Sequence, residues 1–460
     1  MPCPFHSDRP DDADRDSADG AEPSSRRSFL KAAVAIGGTN ALAACARRED
    51  ERPVTTAGSA DPKYPRGPEE LSTLPDRQHA WAEYIRTNRQ NQVVFPQHQV
   101  FVFLDYSLDG PPDAAARSRV ERGFRTLERA FQRGLGDDSN SLVIDGLLFT
   151  VGYARSYFDR FDADLPERAR VMRPGELLER LGEDPALADD YDAVLHLGSD
   201  VAEIVLAAEE ALFGGVDRVN GVTVEGGLGA AFDRAERRAG LIGSGLPADR
   251  LDRDVSSKAP VPMGFKSAFA DTLPGEDRVT VRDGPFAGAT TQHVSLLVEH
   301  LDEWYDQDHT DRIEKMFGPS FDRSDVGEAG ERLGNFSELS EESARRVPDA
   351  VEEHGRVGHA QKLARARDEG FDPVIMRRGD FFETGAEGTV LNFGAIQRSM
   401  EAFVRTRRAM TDLGFGDDPD SLSVADEENG LLDYIETRSR ATFLVPPRSL
   451  RSLPSSRPDR

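Results

Sequence analysis

Short apolar runs of β type alternate with amphipathic helical stretches in one order along this chain. That order constrains the fold more than any other feature of the sequence. Val100-Phe101-Val102-Phe103-Leu104 reads as a strand, and Ala114 to Arg133 carries Val120, Phe124, Leu127 and Phe131 at helical spacing. Leu147 to Tyr153 and Ala193 to Leu197 are two further strands. Asp200 is expected to cap a helix bearing Val201, Ile204, Val205, Ala208 and Leu212 on one face and ending at Gly214-Gly215. Val222-Thr223-Val224 closes the set as a fourth strand, so the order is β-α-β-β-α-β, a ferredoxin-like unit.

A second lobe repeats that order more loosely. It takes a strand from Thr291 to Glu299, a helix from Leu301 to Phe317, strands at Pro373 to Arg377 and Thr389 to Ile396, a helix from Met400 to Leu413, and a strand from Ala441 to Val445. The stretches Asp233–Pro260 and Gly318–Arg356 are polar and glycine-containing and are expected to be surface loops. The fold class is therefore α+β with antiparallel sheets, over lobes at 91–255 and 256–450, with a flexible tether at 46–90 and a tail at 451–460.

Charge narrows the setting. The formal net charge is -26, and lysine is confined to Lys31, Lys63, Lys258, Lys266, Lys315 and Lys362, every other base being arginine. A carboxylate-rich surface with almost no lysine suits high salt, where its self-repulsion is screened. Nucleic-acid binding is excluded as an expectation, because no basic patch is present to offset phosphate repulsion. Cys3 and Cys45 are the two cysteines, too few for a disulfide framework or a zinc cluster.

The N-terminus carries an address. Ser25-Arg26-Arg27-Ser28-Phe29-Leu30-Lys31 followed by the apolar run Ala32 to Ala44 has the twin-arginine export pattern, which a receptor reads and which does not anchor. Leu42-Ala43-Ala44-Cys45 resembles a lipoprotein cleavage box. The expectation is export by the twin-arginine route, with a lipidated Cys45 holding the protein at the outer face of the cytoplasmic membrane, or an extracellular protein without the anchor.

Five stretches then resemble the dye-decolourising peroxidase family. Pro96 to Val102 is similar to its opening strand, and Leu148 to Asp159 to its "T-x-G-x-G-x-x-x-F-D" segment, with Ala154 for the second glycine. Gly288, Leu301 and Trp304 fall on its glycine-rich strand and "M-D-L-x-x-W". Leu432-Asp433-Tyr434 and Phe443-Leu444-Val445-Pro446-Pro447 match its C-terminal "L-L-x-Y … F-F-V-P-P". The resemblance implies a dimeric α/β-barrel-type architecture holding one haem b. It also implies hydrogen peroxide and a small-molecule donor as partners, and it leaves homo-oligomerisation open.

Carried over residue by residue, His359 matches the proximal iron ligand and Arg377 the distal arginine. Phe265 and Phe393 are candidates for the pocket wall. The distal "G-x-x-D-G" is here Gly264-Phe265-Lys266-Ser267-Ala268, so Ser267 stands for the aspartate, and Asp271 is the nearest carboxylate that could replace it. After Gln397-Arg398 the family's proximal aspartate is Ser399, with Glu401 as a substitute. These losses imply haem binding with reduced or altered peroxidase turnover, because a distal base is worth about 10²–10⁴ in rate. Haem handling without turnover and a surface lipoprotein with an empty pocket stay open beside this reading. Without the resemblance, His359 reads as an ordinary capping or solvent-facing histidine rather than a ligand, and Arg377 and Arg378 can be read as surface bases paired with neighbouring carboxylates.

Overall fold

The computed structural model describes residues 61–458, apart from 88–92, 137–140, 162–164, 170, 244–254, 266–272, 333–340, 342–344, 386–387 and 412–423. The twin-arginine stretch, Cys3, Cys45, Ser267 and Asp271 therefore lie outside the described residues.

Eight strands form one closed antiparallel barrel. The first lobe supplies β1 (His98–Tyr106), β2 (Leu148–Tyr153), β3 (Ala193–Ser199) and β4 (Phe232–Leu241). The second supplies β5 (Thr290–Glu299), β6 (Met376–Gly385), β7 (Gly388–Gln397) and β8 (Ile435–Val445). Neighbours run β4-β1-β3-β2 in one half and β8-β5-β7-β6 in the other. Both are the 4-1-3-2 order of a ferredoxin-like sheet, so both lobes have the expected topology. The halves join where Leu444 of β8 meets Tyr153 of β2, and where Phe382 of β6 meets Leu241 of β4.

Strand alternation sorts the core into an inside and an outside. Phe101, Phe103, Val194, Val294, Phe381 and Phe443 fill the barrel. Gly379 and Gly394 are glycines because the Phe101 ring approaches them: a Cβ at either would stand 2.6 or 2.9 Å from its Cζ. Outside the first sheet, Val100, Val102, Leu104, Leu195 and Leu197 pack against α1 (Ala114–Ala130) and α3 (Ala202–Leu212), with α2 (Pro174–Leu181) between these helices in sequence. Helix α1 starts where the Asp113 carboxylate accepts from the Ala116 N–H, and it buries Val120, Phe124 and Leu127. The second lobe carries α4 (Leu301–Asp306), α5 (His309–Phe317), α6 (Val347–His354), α7 (His359–Arg365) and α8 (Met400–Thr411), of which α8 packs on β5 and β7 and α7 packs on α5 and α8.

Several local expectations differ from this arrangement. The fourth strand of the first lobe is Phe232–Leu241, while Val222–Thr223 pairs with Arg218–Val219 in a separate small hairpin. The true strand lies in a stretch read as loop because its sequence is dominated by charge. Arg234 and Arg237 reach Glu209 of α3, and Arg238 reaches Glu236 and Asp189, so ion pairs replace the usual apolar face. Asp200 does not cap α3. Val201 holds that position, and the Asp200 carboxylate accepts from the N–H groups of Gln97 and Ile144, each at 2.8 Å. The helix expected over Leu301–Phe317 breaks at Gln307, because Asp308 caps a new helix by accepting from Asp311 N–H. The stretch Gly318–Arg356 contains α6, whose Val347 and Val351 are buried. Part of the expected tether is docked, with Leu71, Gln78, His79, Trp81 and Ile85 buried. In the expected tail, Arg451 and Leu453 are buried too.

Candidate functional site

The helix-facing side of the second sheet carries ionisable groups instead of a continuous apolar layer. Arg377 pairs across β6 and β7 with Ala395, and Asp380 with Phe393. Phe393 in turn lies opposite Ser295, and Ala395 opposite His293. A bulge between Arg377 and Gly379 sets this arrangement. In a regular strand, residues three apart point to opposite faces. The extra residue returns Asp380 to the face of Arg377, and Arg377 Nη1 donates to Asp380 Oδ2 at 2.9 Å. Arg378 turns inward, where it meets Glu276 and stacks 5.9 Å from the Trp81 ring centre.

His359 opens α7. Gly358 fixes the helix start: a Cβ there would lie 2.3 Å from the backbone of both Phe317 and Gly318. Lys362, one turn on, ties α7 down through Nζ, which donates to the carbonyls of Met410 and Asn429 and to Asn429 Oδ1 at 2.7–2.9 Å. Burial and Arg407 push that amine down to about 7, yet three acceptors match the three donors of an ammonium.

Burial drives the His359 imidazole down to about 3, and the charges of Lys362, Arg377 and Arg407 add to the effect. The ring is neutral at any physiological pH, the form in which a histidine ligates a metal. It nonetheless keeps accessible surface, as do Arg377, Leu297, Leu391 and Phe393. The ring is thus strongly desolvated yet not fully covered. Among the described residues, no group of three or more His, Cys, Asp or Glu side chains is placed to hold a metal ion.

Two carboxylates on this face are buried with an oxygen that has no hydrogen-bond partner among the described residues, Asp380 Oδ1 and Glu299 Oε2. Burial raises Asp380 although Arg377 opposes it. Burial pushes Glu299 up to about 8, helped by the Asp380 carboxylate. Neither was singled out in the sequence. For Asp380 the available signal was Gly379, since an isolated glycine in a strand marks a bulge.

The other candidates separate. Phe393 lies beside Met400 and Phe403, half-buried on the site's face. Phe265 is in the helical core, sharing a cluster with Ala360 and Ala364 of α7, and its ring is 5.8 Å from that of Phe317. Glu401 points to solvent and pairs with Arg180, and Ser399 is exposed. His293 is buried, stacked 3.6 Å from the ring centre of Phe403 and bonded to Ser295.

Residues 96–447 match a family of unknown function, DUF7405. The chain belongs to the DUF7405 family. No curated protein matches it in sequence. Among solved structures, this DUF7405 chain is similar to a DyP-type peroxidase from Streptomyces coelicolor, at 16% identity and a TM-score of 0.48, covering 86% of this chain and 96% of that one. It is also similar to a DyP-type peroxidase from Cellulomonas bogoriensis, at 19% identity and 0.47, covering 76% and 90%. A third is a Rhodococcus jostii DypB variant in complex with haem, at 15% identity and 0.45, covering 80% and 97%. The architecture of the DUF7405 chain rests on its own strand pairing, and the chemistry of its site on its own side chains.

The residues present fit a haem. A neutral imidazole would be available to hold the iron, the Arg377 guanidinium lies within electrostatic reach of it, and the sheet that carries Arg377 also carries half-buried Leu391, Leu297 and Phe393, which suit an apolar ring.

Proposed function

We propose that this chain is an exported haem-binding protein of the peroxidase type, which oxidises small donors with hydrogen peroxide. One observation carries the reading: the imidazole of His359 is held neutral and partly open, within reach of the charge of Arg377 on the sheet that faces it. His359 would hold the iron of haem b, and haem would supply the electrons for breaking the O–O bond. Arg377 would stabilise negative charge on peroxide oxygen, oriented by its bond to Asp380. Phe393, Leu391 and Leu297 would exclude water from the ring edge. Export by the twin-arginine route and anchoring through Cys45 belong to the same proposal, and so does a salt-adapted surface, supported by the net charge of -26.

A second reading, haem binding without turnover, is favoured by the proximal side. Ser399 is exposed and Glu401 is engaged by Arg180, so neither raises the basicity of the His359 imidazole.

The deciding experiment folds the full chain in high salt with haem supplied and compares absorption spectra of wild type and His359→Ala. A histidine-ligated Soret band present only in wild type supports the proposal. No haem uptake, or identical spectra, overturns it and leaves a surface lipoprotein. Peroxide-dependent dye oxidation by the haem-loaded protein then separates turnover from haem binding alone.

A further inference from the structure

We propose that Asp380 is the acid–base residue of this site, moving a proton from one oxygen of hydrogen peroxide to the other. The proposal rests on the haem-peroxidase reading above and assigns to Asp380 a task for which Ser267 has no carboxylate.

Three observations carry it. The β6 bulge places Asp380 on the face of Arg377, against the ordinary alternation of a strand. One carboxylate oxygen, Oδ2, is committed to Arg377 Nη1 at 2.9 Å. The other, Oδ1, is buried without a hydrogen-bond partner among the described residues, in a side chain that is only 7% exposed. A buried acceptor without a donor is costly, so its retention beside a guanidinium invites a functional account. Burial also raises the carboxyl above its usual range, which suits a group that must hold a proton briefly and release it. Arg377 and Glu299 are the charged groups that act on it, and Glu299, itself raised to about 8, is a second proton-holding neighbour on the same face.

Asp380 Oδ1 accepts the proton of one peroxide oxygen. As the O–O bond breaks, the bonding pair leaves with the other oxygen. That oxygen takes the proton back from Asp380 and departs as water. The oxygen that stays is short of two electrons, which are what haem supplies. Arg377, held by Oδ2, faces the negative charge that develops on the departing oxygen.

The test uses the full chain loaded with haem, as wild type, Asp380→Asn, Arg377→Gln and the double variant. Two rates are read by stopped-flow: spectral reaction with hydrogen peroxide, and cyanide binding to the ferric protein. Cyanide binding is independent of turnover, because hydrogen cyanide must give up its proton to bind as the anion. The expectation is that Asp380→Asn keeps the wild-type haem spectrum and loses about 10²-fold or more in both rates. Wild-type rates in Asp380→Asn overturn the proposal, and so does loss of haem, which would make Asp380 a structural group. Should that variant not fold, the double variant decides, since it removes both charges together. If Asp380 only neutralises Arg377, adding Asp380→Asn to Arg377→Gln costs nothing further. The proposal expects a further loss of about tenfold or more. A wild type that takes up no haem overturns the functional reading and the proposal with it. A haem-loaded wild type matched by its Asp380→Asn variant overturns the proposal alone.

Discussion

The two lobes share one topology and differ in what they turn toward their helices. In the first, the outer face of the sheet is Val100, Val102, Leu104, Leu195 and Leu197, closed by α1 and α3 into a continuous apolar layer. In the second, the same face presents Arg377, Asp380, Ser295, His293, Glu299 and Arg440, with half-buried Phe393 and Leu391 among them. Groups that cost free energy to bury are gathered on one half of a duplicated scaffold. The other half also buries charge, at Glu209 with Arg234 and Arg237 and at Glu128 with Arg448 and Arg451, but keeps it off this apolar layer. On the proposed function a division of labour follows, with an apolar layer in the first lobe and the candidate site in the second.

The largest expected effect tests the stabilising half. Phe124 is fully buried between α1 and the sheet, its ring 5.8 Å from that of Phe149. Phe124→Ala should cost about 3–5 kcal/mol in denaturant unfolding, while haem uptake per folded molecule stays unchanged. A haem defect in the folded variant would show that the lobes are not separate in this sense.

The next effect concerns the one buried ion cluster of the first lobe that draws on the chain's C-terminus. Glu128 accepts from Arg448 at 2.7 and 2.8 Å and from Arg451 at 3.0 Å. Burial alone would raise its carboxyl, but the two guanidinium groups outweigh burial and hold it at about 2, against an ordinary value of 4.5. A carboxyl depressed on folding stabilises the protein fully above 4.5, and that contribution fades as pH falls toward 2. The gap corresponds to about 3 kcal/mol. Glu128→Gln should therefore lower stability by about that amount near neutral pH, and the difference from wild type should shrink steadily below pH 4.5. A difference that is flat across that window would remove the ion cluster from the account.

The lobes were not equally legible in the sequence, for the same reason that they differ. In the first lobe, apolar residues recur with the period of each element, so β1, β2, β3 and both covering helices could be read directly. The exception, β4, is the strand whose arginines pair with Glu209, Glu236 and Asp189, leaving no apolar period to read. In the second lobe, Pro373 to Arg377 gave the start of β6, but the strand runs on through the bulge to Gly385. Asp380 was missed because plain alternation puts it on the opposite face from Arg377. His359 and Arg377 were reached only through family resemblance, since a lone histidine and a pair of arginines have no period at all. What a linear pattern cannot carry is the register shift that brings Asp380 to Arg377 and the long-range ion pairs that hold β4.

A smaller effect sharpens the contrast from the functional side. Phe393 is half-buried against Met400 and Phe403. Phe393→Ala should cost only about 1–2 kcal/mol of stability, less than Phe124→Ala, because part of the ring is already open. It should weaken haem retention, measured by transfer of haem to a scavenging protein. Unchanged retention would take Phe393 out of the pocket wall.

The smallest effect is expected at Glu401, and it separates two accounts of the proximal side. If Glu401 replaced the aspartate that Ser399 lacks, its carboxylate would have to turn toward α7 and hydrogen-bond the His359 ring. Glu401→Gln would then alter the electronic spectrum and raise the reduction potential of the haem-loaded protein. Its carboxylate is instead engaged by Arg180, with 60% of its own side chain and 36% of the arginine's exposed. Ion pairs of that kind contribute about 0–1 kcal/mol and are screened by salt. Glu401→Gln should therefore shift stability by less than about 1 kcal/mol, with the difference disappearing in high salt, and should leave spectrum and potential at wild-type values. A changed potential would mean that Glu401 leaves Arg180 when the cofactor binds, and that the second lobe rearranges around its site while the first does not.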